Sequence, residues 1–282
     1  MAIKDLALAF NASDNSRAAL KLAVQMCRKY EAALTGIYAH FPVRFETQVE
    51  RWITDEMKAS LGKADADAVA AIGDAFQDAI KESGFDGPVE WISPTGHPND
   101  LLAKSARYHD LLLIGQYSNP DRYQRRIRAE ELVMNSGKPI MVVPHGYQVR
   151  PFSEHAVVAW DGSRPAARAL SDAMQILETK ERLDVVTVGA PGTEGSQDSF
   201  EQHGFGQDVV TYLSRHGINA KQINLSAARE GVGATILGYC SETDPDVLVM
   251  GAYGHARLRE ELFGGVTRHI LEHANVPVLM AH

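Results

Sequence analysis

Short apolar runs recur along the chain, separated by longer segments whose apolar residues return every three or four positions. Runs of the first kind read as buried strands and segments of the second as amphipathic helices. From residue 155 onward, His155 to Trp160 reads as a strand. Ser163 then opens a helix as its N-cap, with Pro165 in the first turn. Leu183–Val188 and Ala220–Leu225 read as further strands, and Val247–Met250 and Val276–Met280 as the last two. Helices are expected over Phe200–His216, ending at Gly217, over Val232–Glu242, and from about Val266 to His273. The first part repeats the plan, with strands near 5–10, 34–40, 88–92, 111–114 and 139–143. Strands alternating with helices predict parallel sheets, right-handed crossovers and helices on both faces.

The chain is also similar to itself. Ala9-Phe-Asn-Ala-Ser13 recurs as Ala159-Trp-Asp-Gly-Ser163, and Ala19-Leu20 as Ala169-Leu170. Asp110-Leu-Leu-Leu-Ile-Gly115 matches Asp246-Val-Leu-Val-Met-Gly251, and Pro139 to Val143 matches Pro277 to Ala281. Landmarks in one order indicate a duplication, with a period too long for a solenoid. Two domains follow, residues 1–146 and 152–282, joined by the turn-forming stretch Gly146 to Pro151. The matched terminal strands, if at sheet edges, are expected to pair internally as a pseudo-dimer, since a bare edge invites association. Whether two chains then form a homo-oligomer is left open.

Composition narrows the partners. Lys plus Arg number 28 against 36 Asp plus Glu, a formal charge of −8. Such a chain is poorly suited to a nucleic-acid backbone, whose binding depends on many Lys and Arg contacts. One anionic small molecule held by backbone amides stays open. No apolar run approaches the roughly 18 residues of a membrane helix, and Lys4 and Asp5 interrupt the opening stretch where a secretory signal would be apolar. Cys27 and Cys240 form no metal-ligand spacing. A cytoplasmic protein is expected.

The candidate chemistry lies in Gly251-Ala-Tyr-Gly254-His255, continuing to Gly264-Gly265-Val266-Thr267. This segment leaves a buried strand and opens a helix. Glycines let a backbone approach a ligand closely, and the free amides of a helix N-terminus favour an anion. Thr267 adds a hydroxyl for a phosphate oxygen. Tight turns alone would explain an isolated glycine pair; four glycines in a strand–loop–helix setting favour the ligand.

The segment resembles the nucleotide loop of the universal stress protein family, Gly-x2-Gly-x9-Gly-(Ser/Thr). Gly251, Gly254 and Gly264 fall on its glycines with nine residues, His255 to Phe263, in the gap. Gly265 stands where a Ser or Thr is usual, and Thr267 matches a second hydroxyl. The resemblance extends over the whole chain as a tandem. It implies an α/β fold of two repeated doubly wound domains, each a five-stranded parallel sheet between helices, of the adenine-nucleotide α-hydrolase-like type. It also implies ATP, with Mg²⁺, held by Ala159, Trp160, Asp161, Val188, Gly251, Gly254, His255, Gly264, Gly265, Val266 and Thr267. Asp161 has a second, compatible reading as an Asx-turn residue.

The first half departs from the pattern. Ser118 stands at the second glycine, no glycine occurs from Gln116 to Ser136, and Asn11 replaces the aspartate. One ATP per chain is therefore expected. Gly264→Val should abolish binding and Gly115→Ala should leave it nearly unchanged. Arg122, Arg125, Arg126 and Arg128 read as charged surface beside Glu130 and Glu131, and Arg257 and Arg259 likewise beside Glu260 and Glu261. His269 and His273 have a metal-compatible spacing without a third ligand, and read as a helix-end pair. The chain has no G-x4-G-K-(S/T) loop. A stress-response regulatory protein that binds ATP is the leading expectation, with a slow ATPase or phosphotransferase and a nucleotide-free scaffold as alternatives.

Overall fold

The computed structural model describes residues 3–41, 54–116, 127–189, 205–253 and 265–282. Ten strands lie in one sheet: β1 (Asp5–Ala9), β2 (Ala33–Ile37), β3 (Val89–Ile92), β4 (Leu111–Gly115), β5 (Ile140–Val143), β6 (His155–Ala159), β7 (Arg182–Gly189), β8 (Ala220–Ser226), β9 (Val247–Gly251) and β10 (Val278–Ala281). Eight helices are described: α1 (Asp14–Tyr30), α2 (Asp55–Ser83), α3 (Pro98–Ala106), α4 (Ala129–Ser136), α5 (Arg164–Leu177), α6 (Phe205–Arg215), α7 (Val232–Thr243) and α8 (Gly265–His273).

The sheet order is β3-β2-β1-β4-β5-β10-β9-β6-β7-β8. Each half thus repeats one parallel arrangement, and the halves meet where β5 runs antiparallel to β10, with Met141 opposite Leu279. Every residue of β4 is buried, as a strand covered on both faces requires. Alternation along β1 sends Leu6 and Leu8 into one apolar cluster with α1, and Ala7 and Ala9 into a second with α3.

Local chemistry sets the helix starts. Ser13 Oγ accepts from the Ser16 amide and Ser163 Oγ from the Ala166 amide, with Pro165 in the first turn of α5. The last strand begins at Val278, later than expected. Pro277 has no N–H to donate, although its carbonyl accepts from Leu248 N at 2.9 Å. β2 stops at Ile37, short of the expected 40. Helix α6 spans 205–215, and residues 200–204 of its expected range lie outside the described residues.

Buried ions tie the inter-half segment down. Lys180 Nζ lies 2.8 Å from Asp246 Oδ2 and 3.2 Å from Glu154 Oε2. Glu154 also pairs with Lys29 of α1, and the Phe152 ring lies beneath both ammonium groups. Ser153 N and Oγ each donate to Asp246 Oδ1 at 2.9 Å. A second cluster sits under β6 and β7. Asp184 Oδ2 accepts from Tyr239 Oη at 2.9 Å and Arg182 Nη2 at 2.6 Å, and lies 2.8 Å from His155 Nε2.

These carboxylates make stability acid-sensitive. Burial pushes the Asp184 carboxyl up, but hydrogen bonds from Arg182, Tyr239 and His155 outweigh it and hold the group below its ordinary range. Burial likewise raises Asp246, and bonds from Lys180 and Ser153 outweigh it. A folded-state value below the unfolded one contributes stability above the unfolded value, and this is lost as pH falls through the folded one. Melting temperature should therefore hold near neutrality and fall steeply below about pH 4, the unfolded Asp range. Asp184→Asn should flatten that limb; thermal melts from pH 3 to 7 with an unchanged limb in the variant would refute the assignment.

Candidate nucleotide site

In the second half β6 lies between β7 and β9, so the strand order reverses beside β6. A cleft opens at such a point beyond the carboxyl ends of the strands. Ala159 pairs with Val186 on one side and Met250 on the other. The chain then turns: Trp160 N donates to Val186 O at 2.8 Å, and Asp161 Oδ1 accepts from Ser163 N at 2.9 Å. Asp161 is thus an Asx-turn residue at the head of α5. Ala159, Val188, Tyr253 and Val266 pack against one apolar cluster on one face. Trp160 packs against the cluster of the opposite face, so its ring does not join Val188, and its Nε1 is buried without a hydrogen-bond partner among the described residues.

Beyond β9 the backbone is tightly set. A Cβ on Gly251 would lie 2.3 Å from Ala166 N and 2.5 Å from the Pro165 carbonyl carbon, because the first turn of α5 sits on the strand end. This glycine is required by packing within the fold, a reason the sequence pattern does not reveal. Tyr253 adopts φ 59°, and its amide faces Thr267 Oγ1 at 3.5 Å. Thr267 is only 6% exposed, and its hydroxyl oxygen links α8 to this turn. Gly265 is exposed, and a Cβ there would meet no atom of the described residues within 4 Å. No acidic residue occupies the first turn of α8. Gly254, His255 and Gly264 lie outside the described residues, as do Arg257 and Arg259.

The matching helix start of the first half, as far as its described residues go, is differently furnished. Asn11 Oδ1 accepts from Ser13 N at 3.2 Å, reproducing the turn of Asp161. At the start of α4, however, Glu130 and Glu131 fill the first turn. Arg128 Nη1 pairs with Glu131 Oε1 at 2.9 Å, and the Arg128 amide donates to Asn99 Oδ1 at 3.0 Å. The positive end of this helix already faces carboxylates. Gly115 repeats the packing of Gly251, with a Cβ position 2.5 Å from Asn15 O. Gly115→Ala, expected to leave nucleotide binding nearly unchanged, would therefore crowd the first turn of α1. Ser118, Arg122, Arg125 and Arg126 lie outside the described residues.

Other candidates resolve into structure. The His269 and His273 rings stack at 4.4 Å, and His273 Nδ1 lies 3.0 Å from the His269 carbonyl. Among the described residues no three His, Cys, Asp or Glu side chains converge on a metal position. Burial pushes both the Cys27 and Cys240 thiols up to about 12, which leaves them unreactive near neutrality. An open cavity of about 620 Å³ lies along α1, away from the cleft, where Arg17 and Lys21 are matched by Asp14 and Glu82. No described helix is long and apolar enough to cross a membrane.

The cleft and its flanking elements have counterparts among known proteins. Residues 153–282 match the universal stress protein family. Universal stress protein Slr1230 of Synechocystis sp. is 25% identical over 230 residues, covering 80% of this chain and 75% of that protein. A universal stress protein from Archaeoglobus fulgidus DSM 4304 superposes with a TM-score of 0.70 at 16% identity, over 98% of this chain and 95% of that one. A protein of unknown function from Pseudomonas aeruginosa PAO1 superposes with a TM-score of 0.61 at 14% identity, over 99% and 92%. The sequence matches support the universal stress protein family for this chain, and the superpositions give it the α/β fold of their structures along its whole length.

Proposed function

We propose that the chain is a tandem universal stress protein: domains 1–146 and 152–282 pack as an intramolecular pseudo-dimer, and the second domain binds ATP with Mg²⁺. The pairing of β5 with β10 supports the pseudo-dimer. What carries the nucleotide reading is the contrast between two equivalent helix starts. That of α8 has an open Gly265 and no first-turn acid, whereas that of α4 is filled by Glu130, Glu131 and Arg128. Amides at a helix start and the helix dipole suit a phosphate.

In this reading Gly254, Gly264, Gly265 and Val266 present backbone to the phosphates, with His255 in the same loop and the Thr267 hydroxyl beside it. Ala159 and Val188 border the adenine, and Trp160 and Asp161 shape the turn at the adenosine end. Mg²⁺ would offset phosphate charge. The role is regulatory, in a stress response, and not rapid catalysis. Lacking a P-loop lysine, the chain should turn ATP over far below the roughly 1–100 s⁻¹ of kinases. Both cysteines are free, which fits the reducing cytoplasm we assign to it.

Calorimetric titration with ATP and Mg²⁺ should give one site per chain. Gly265→Val should weaken that site about tenfold or more, a loss of at least about 1.4 kcal/mol, while the protein melts cooperatively. Two sites, no binding, or full affinity in a folded Gly265→Val protein would overturn the reading. Turnover in the kinase range would replace it with the enzyme alternative.

A further inference from the structure

Gln116 follows Gly115 at the position matching Ala252, and it is only 5% exposed. Its backbone amide donates to Val143 O at 2.7 Å, and its Oε1 accepts from the His145 amide at 2.9 Å. Its Nε2 crosses to the other half and donates to the Leu271 carbonyl at 2.8 Å. Leu271 lies in the last turn of α8, where helix carbonyls have no intrahelical donor. The neighbouring Ile270 carbonyl is served by Ala274 N at 2.8 Å, within its own half. Ala252 carries no side-chain amide and bonds locally, its N–H donating to Ala281 O at 3.0 Å. The contact therefore runs from the first half to the second without a matching return from Ala252.

A helix this short moves as a rod of about 1.5 Å per residue. Holding its C-terminal turn fixes where Gly265 stands at the other end, and where Thr267 Oγ1 meets the Tyr253 amide. His145 extends the chain of contacts to Asn15 Oδ1 on α1, so the brace rests on the packed first half. We propose that Gln116 is a positioning residue through which the first half sets the nucleotide affinity of the second. This rests on the ATP reading of the α8 start. The first half then has a task although its own helix start is differently furnished: it holds the α8 start in register with the β9 turn.

Two variants test it. Gln116→Leu keeps the volume and removes both side-chain bonds. Gln116→Glu keeps an acceptor for the His145 amide and loses the donor to Leu271. In both, the dissociation constant for ATP with Mg²⁺, measured well below the melting temperature, should rise about fivefold or more, the lower end of site-to-site coupling. Amide exchange without nucleotide should quicken in α8 relative to β7. A lowered melting temperature with unchanged affinity and unchanged relative exchange overturns the proposal. Should Gln116→Leu fail to fold, Gln116→Glu carries the same comparison. Wild-type protein that takes up no ATP overturns the nucleotide reading and this proposal with it, and is distinguished because in the other failure the wild type binds.

Discussion

Lys180→Met should lower stability by about 3–5 kcal/mol, the usual cost of leaving one partner of a buried ion pair alone. The Lys180 side chain is only 2% exposed and that of Asp246 only 4%, so water cannot replace the lost ammonium. Met matches the length of the aliphatic stem and keeps the contact with Phe152, whose ring centroid lies 4.9 Å from Nζ. What disappears is the charge. Asp246 keeps its bonds from Ser153 and the more distant Arg150 at 3.7 Å, which temper the loss without cancelling it. For a chain of this size the melting temperature should fall by roughly 10 °C. Replacing both partners, Lys180→Met with Asp246→Leu, should recover part of the loss, because the charge left behind costs more than the pair contributes. Urea unfolding of wild type, both single variants and the double variant gives the cycle. A single-variant loss under about 1 kcal/mol would show that the pair is solvated in solution.

Much of the architecture was legible from periodicity. The run Leu111 to Ile114 reads as a strand covered on both faces, and Ser163 followed by Pro165 marks a helix start. Internal repetition located both sets of strands before any pairing was known. Tertiary assembly was legible only where it reused local signals. Lys29, Glu154, Lys180 and Asp246 lie far apart in sequence, and each alone reads as a solvated charge. Only the crossing of the inter-half segment over the ends of α1 and α5 brings them together.

The candidate site divides in the same way. The glycine spacing and the turn at Asp161 can be read from residue types, and Ser163 N does bond Asp161 Oδ1. Side-chain direction is different. Adjacent residues at a strand end face opposite sides of a sheet, so Trp160 lies against one apolar cluster while Ala159 and Val188 lie against the other. Gln116 occupies an unspecified position between Gly115 and Ser118 and carries no signal in the sequence pattern. In the fold its two-sided amide supplies both a donor and an acceptor at the seam. The left-handed Tyr253, which sets the turn after β9, carries no signal in its residue type, since Gly or Asn would be the usual choice there.

Gly251→Ala should destabilise the second half by about 3 kcal/mol or more, at or beyond the usual upper range for overpacking. The requirement is steric: Gly251 ends β9, and its Cβ direction points into the first turn of α5. The atoms it would meet are the Ala166 amide nitrogen at 2.3 Å and the Pro165 carbonyl carbon at 2.5 Å. Neither is a side chain that can rotate away, so the helix must leave the strand. That movement would disturb Asp161, Ser163 and the cleft together. Gly115→Ala should behave alike in the first half, where Asn15 O lies 2.5 Å from the Cβ position. Gly265→Ala should change stability by no more than about 1 kcal/mol, with a small gain from helix propensity, since no atom of the described residues lies within 4 Å. Loss of ATP binding in Gly251→Ala would thus report a displaced helix and say nothing about a phosphate contact, whereas loss in a folded position-265 variant would report the contact itself. Denaturant unfolding of the three alanine variants separates the cases. Wild-type stability in Gly251→Ala would mean that α5 does not rest on the end of β9 in solution, and the steric account of this glycine would fall.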